Sequence, residues 1–224
     1  MKSLYQHSIR LLSTLLSLVS ADACGIAADA LFKDAEITYD CLKSIPFHQE
    51  ESKQLAVSVR HYLSCYSAGT YFQHKPCPEL DLPDIDINGT LSKIEDRIKK
   101  NQYKSDYDVG KDFVELFGSV KDGHVMFQLV CTSGASVYQH DYPLISVAAS
   151  PDSIPEIYIA QFNASVPRPD EKVLKINGED AVRYLDHMAK NGILGTYIDP
   201  YARFNQLLVQ ISGGKWGVGG FATR

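Results

Sequence analysis

Apolar residues recur at helical spacing through the first half of this chain and change to strand-like runs beyond residue 123. From Gln49 to Tyr66 the repeating set is Leu55, Val59, Tyr62, Leu63 and Tyr66, with Glu50 and Glu51 in the first turn, where the helix dipole favours acid. A second helix is predicted from about Thr90 to Asn101, with Leu91, Ile94 and Ile98 on one face. A third runs from about Tyr107 to Gly118 on Val109, Phe113, Leu116 and Phe117, and Ser105 with Asp108 resembles its capping box. The stretch Tyr71–Asp86, broken by Pro76, Pro78 and Pro83, is a predicted loop. After Lys121-Asp122-Gly123-His124, β-type runs follow at Val125–Cys131, Pro143–Ala149, Glu156–Phe162 and Glu171–Ile176, the last closing on an Asn177-Gly178 turn. A helix over Glu179–Lys190 turns Val182, Leu185 and Ala189 inward, and Asp199-Pro200 opens a last helix with Phe204, Leu207, Leu208 and Ile211 on one face. The tail is glycine-rich. The fold class is α+β: a helical region over 24–120, a β-rich region over 121–198, and a helix with a Gly-rich tail over 199–224, expected to be an incomplete domain.

Residues 1–23 read differently. Lys2 and Arg10 precede an apolar run from Leu11 to Val19, and Ala21-Asp22-Ala23 is a small-x-small cleavage site. The run is too short and too rich in Ser for a membrane span, so it predicts a signal peptide and a secreted or secretory-lumen protein. In that compartment cysteines pair. Cys24, Cys41, Cys65, Cys77 and Cys131 are five, so at least one stays outside an internal bond. The disulfide candidates are Cys41, Cys65, Cys77 and Cys131. A Cys65–Cys77 bond would pin the proline-rich loop, and the connectivity stays open. Asn88 and Asn163 each begin a glycosylation sequon. A formal net charge of −5 without basic clusters argues against nucleic acid and membrane surfaces as partners. His61, His74, His140 and His187 are scattered, and Asp81, Asp84 and Asp86 lack the glycine and distal glutamate of a calcium loop, so neither a metal nor a cofactor is expected.

The chemistry concentrates at His124. It follows Asp122-Gly123 at a helix-to-strand junction, where Gly123 permits a tight turn and Asp122 is placed to orient the imidazole. The segments Phe113-Val114-Glu115-Leu116-Phe117 and Lys121-Asp122-Gly123-His124-Val125 resemble a motif of the tail-specific (C-terminal-processing) serine peptidases. The nearest likeness is to a fungal branch similar to the chlamydial protease-like activity factor. The run Val173-Leu174-Lys175-Ile176-Asn177-Gly178-Glu179-Asp180-Ala181 is similar to that family's PDZ-like strand, turn and helix. The resemblance implies that His124 is the general base, with Asp122 in support, and that a peptide or protein is the substrate. It further implies peptide-bond hydrolysis, including processing of precursors of fungal ribosomal cyclic-peptide mycotoxins. In that family the nucleophilic serine and the acidic partner lie in a later α/β domain, so the chain reads as truncated before its catalytic core. Ile211-Ser212-Gly213-Gly214 and Thr132-Ser133-Gly134-Ala135-Ser136 both fail as nucleophile turns.

Alternatives stay open. The chain reads equally as an inactive paralogue that binds peptide through its PDZ-like part or pairs with a full-length peptidase. A third reading is an unrelated secreted binding protein. A serine within reach of His124 would mark catalysis, an apolar groove beside a free strand edge near Val173–Ile176 a binding module, and a buried His124 the third reading.

Overall fold

The computed structural model describes residues 23–29, 34–73, 84–129, 142–163, 166–191 and 197–208. Most of the predicted signal peptide, Cys77, Cys131, Asp81, His74, His140, the serines of 132–136 and Ser212 lie outside the described residues. Helices α1 (Ala35–Ser44), α2 (Gln49–Ser64), α3 (Gly69–Gln73), α4 (Ile87–Lys99) and α5 (Asp106–Val120) come first. Strands β1 (Leu144–Val147), β2 (Glu156–Asn163), β3 (Val166–Lys172), β4 (Lys175–Ile176) and β5 (Glu179–Asp180) follow, then helices α6 (Ala181–Asn191) and α7 (Pro200–Gln206). The chain is α+β, as the change of period predicts.

The first core is helical. On α4 the buried positions are Ile87, Leu91, Ile94 and Ile98, spaced to lie on one face. On α5 they include Val109, Phe113, Leu116, Phe117 and Val120. Ser105 caps α5 by accepting the Asp108 N–H at 3.3 Å, and it donates to Asp108 Oδ2 at 2.9 Å. On α2 the buried stripe is Ser52, Ala56 and Val59, with Leu55 and Leu63 packed at its edge, so the expected face is rotated and Tyr62 is exposed. The first three residues of the predicted loop, 71–73, belong instead to the short helix α3, where Phe72 buries against this core. A helical stretch over 23–28 is tied to α1 by a Cys24–Cys41 disulfide, while Cys65 is exposed and free. The Cys65–Cys77 pairing is therefore absent: Cys41 takes Cys24, the cysteine left out of the candidate set, as its partner.

The run from Val125 is not a strand over its described part, 125–129. Its alternation is real, since Val125 is buried, Phe127 is half-buried, and Met126 and Gln128 are exposed. The inward side chains pack on α5 instead of reading out into a sheet: the Phe127 ring lies 5.2 Å from Phe113 and 5.7 Å from Phe117. Gly110 permits this approach, because a Cβ there would stand 2.4 Å from the Leu129 side chain.

The second core lies under an antiparallel sheet of order β1-β2-β3. Leu144 and Ile157 of the sheet meet Ala181, Leu185 and Ala189 of α6 and Leu207 and Leu208 after α7. The β4–β5 hairpin turns through Asn177 at φ 52° and Gly178 at φ 86°, the conformation that Asn-Gly adopts readily. Asp199 caps α7 through the Tyr201 and Ala202 amides, with Pro200 opening the helix. Over its described residues this helix is packed: Arg203 is 2% exposed, and Leu207 and Leu208 are buried.

Candidate functional site

The end of α5 positions the site. Lys121 adopts the left-handed conformation at φ 58°, which breaks the helix and throws Asp122 and His124 onto a turn. The Val125 N–H closes that turn on the Asp122 carbonyl at 3.1 Å, and Val125 is sunk in the first core. Asp122 Oδ1 accepts the His124 backbone N–H at 3.0 Å and lies 2.9 Å from its Nδ1. The other oxygen, Oδ2, accepts the Tyr66 hydroxyl at 2.6 Å. The Asp122 side chain is 13% exposed and that of His124 is 96% exposed. The imidazole therefore stands out from the surface, held through Nδ1, with Nε2 facing outward.

The electrostatics agree with this geometry. Burial pushes the Asp122 carboxyl up, but hydrogen bonds from Tyr66 and from the His124 amide and ring outweigh it and hold the group below its ordinary range. Burial, then the hydrogen bond to Asp122, raises the Tyr66 phenol, so it remains a donor. Lys121 is lowered to about 8, by burial first and then by the neighbouring Arg203 charge.

The pairing of Asp122 with His124 is local and was readable from the sequence. Tyr66 was missed as part of it, being 56 residues away and legible only as an apolar position at the end of α2. Among the described residues no serine hydroxyl is bonded to His124. His124 is not buried, as a wholly unrelated binding protein was expected to show. Asn88 is exposed in the first turn of α4. Asp86 serves as the α4 cap, accepting the Gly89 N–H at 2.7 Å, and no group of three acidic, His or Cys side chains suited to a metal occurs among the described residues. No described helix is long and apolar enough to cross a membrane. Near the second core, Val173 donates to the Ile157 carbonyl at 2.8 Å and Leu174 is 67% exposed beside the β4–β5 hairpin.

A helical unit presents a carboxylate-held histidine, and a small sheet packed on one helix follows it. Comparison with known proteins gives this second part a likeness. Residues 137–224 match the CPAF-like PDZ domain family. Two Peptidase S41 family proteins of Diaporthe leptostromiformis, phomP1 and phomP1', are each 28% identical over 139 residues, which is 60% of this chain and 20% of each relative. The matched part of this chain thus spans about a fifth of those relatives' length. No solved structure matches. Over the matched part, the chain is similar to proteins of the Peptidase S41 family.

Proposed function

We propose that this chain is a secreted peptidase-type protein in which His124 is the general base for peptide-bond hydrolysis. The observation that carries this is the hold on Nδ1: a base must be oriented by a third group before it can take a proton, and Asp122 supplies that group within two residues. Nε2 is left to accept the proton of an attacking serine hydroxyl. That serine comes from outside the described residues, in the same polypeptide or in a full-length peptidase paired with it. The PDZ-like part holds the substrate as an extended peptide, and a precursor peptide of the fungal mycotoxin type fits the resemblance. Export is supported by the Cys24–Cys41 bond and by the accessible Asn88, since stable disulfides belong to oxidising compartments.

One observation favours the second reading, a peptide- or partner-binding module without catalysis. The His124 side chain is 96% exposed, so no described group covers it as a substrate-lined cleft would. Labelling the secreted protein with a fluorophosphonate serine-hydrolase probe decides between them. Labelling that disappears in His124→Ala supports hydrolysis; no labelling of the wild type, alone or mixed with a full-length relative, leaves the binding module.

A further inference from the structure

We infer that Tyr66 is a positioning residue for His124: its hydroxyl fixes one oxygen of Asp122 so that the other holds Nδ1. The inference rests on the proposed role of His124 as a base. The contact between Asp122 and His124 spans two residues and is an Asx-type turn, common at helix ends. By itself it orients the ring weakly, because the terminal torsion of an Asp side chain is broad. Rotation about that torsion would carry Oδ1 off Nδ1. The His124 N–H on Oδ1 at 3.0 Å restrains one oxygen, and the Tyr66 hydroxyl on Oδ2 at 2.6 Å adds the second point that opposes the rotation.

Tyr66 is itself anchored. Its ring stacks on Phe72 with centroids 6.4 Å apart and planes at 13°. Its carbonyl accepts the Gly69 N–H at 3.1 Å, and its N–H donates to Leu63 O at 3.2 Å. A Cβ on Gly69 would meet the Tyr66 ring at 3.3 Å, so the turn between α2 and α3 is shaped around it. Burial and the Asp122 charge both keep the phenol protonated, as the bond requires. The hydrogen-bond chain Tyr66–Asp122–His124 thus ties the imidazole to the helical core, and a loop residue acquires the rigidity that a base needs.

The test uses the full chain, ¹⁵N-labelled, with long-range imidazole NMR correlations read at alkaline pH. In the wild type the Asp122 bond favours the tautomer protonated on Nδ1. Tyr66→Phe, which keeps the ring and its packing, should shift the population toward the Nε2–H tautomer by at least about twofold, and Asp122→Asn should shift it further. A Tyr66→Phe spectrum identical to the wild type overturns the inference. Should Tyr66→Phe not fold, tyrosine labelled at Cζ in wild type and Asp122→Asn gives the answer: Tyr66 ionisation should move to lower pH in the variant, and an unmoved titration overturns the inference. This readout is independent of catalysis. A tautomer shift in a protein that never labels with fluorophosphonate keeps Tyr66 as the positioning group and removes the base role of His124.

Discussion

Lys121 closes α5 in the left-handed region at φ 58° with its side chain only 8% exposed. Burial, and then the Arg203 charge, lower its pKa from 10.5 to about 8. The unfolded chain therefore binds more protons than the folded one between these values, and stability should rise with pH across that window. Below about pH 8 the buried ammonium costs free energy. Lys121→Met should thus stabilise the protein at pH 7 by about 1–3 kcal/mol, with the gain fading as pH approaches the unfolded value. Urea unfolding of both proteins at pH 7 and pH 10 checks this, and an unchanged or lower midpoint at pH 7 refutes it. At this scale the sequence is uneven. Asp122 and His124 are neighbours, so their pairing is readable. Lys121 is not, since a lysine after a helix is ordinarily solvated, and only the tertiary neighbours that bury it change its chemistry.

At the scale of elements, the helices were legible because their apolar faces and caps are local. Ser105 is 0% exposed and serves both as donor and as acceptor to Asp108, so replacing it takes the hydroxyl donor from the Asp108 carboxylate and leaves the Asp108 N–H only the Ser105 carbonyl, at 3.2 Å. Asp108 also meets Lys43 from α1, which adds a tertiary hold to the same turn. Ser105→Ala should therefore cost about 1–2 kcal/mol in urea unfolding, and Ser105→Asp, which keeps an acceptor but adds a buried charge, should not restore it. A loss below a few tenths of a kcal/mol would show that the cap carries no weight. The strand predicted from Val125 failed for a physical reason. Alternation reports only that one side of an extended segment is buried, and here the burying surface is α5 at Gly110, Phe113 and Phe117. The rotated face of α2 has a similar origin: Ser52 and Ala56 are small enough to let α4 approach, whereas Tyr62 is turned to solvent.

Across the whole molecule, residues 197–208 bridge the two cores. Ile198 packs on the helical core, and Phe204, Leu207 and Leu208 pack on the core beneath the sheet. Arg203 fastens the bridge. Its guanidinium donates to the Ala189 carbonyl at 2.6 Å, to Tyr197 O at 2.7 Å and to Ile198 O at 2.5 Å, which also satisfies the C-terminal end of α6. From sequence, Arg203 was one more polar residue between apolar positions. A buried cation on three carbonyls is not readable from periodicity. Arg203→Met keeps much of the volume and removes every donor, so the carbonyls at 189, 197 and 198 lose their partners at a cost of about 3 kcal/mol. Part of that cost is offset, because Lys121 loses a like charge and its pKa should rise. The two effects differ in where they act. The lost bonds loosen the bridge, whereas the relief at Lys121 strengthens the turn that carries His124. Thermal unfolding should therefore pass from a single transition to two, with early chymotrypsin cleavage after Tyr197, between α6 and α7, and the helical core melting later. If Arg203→Met still unfolds in one transition with an unmoved midpoint, the cores are coupled by the apolar contacts of Ile198 and Leu207 alone, and the guanidinium is not what joins them.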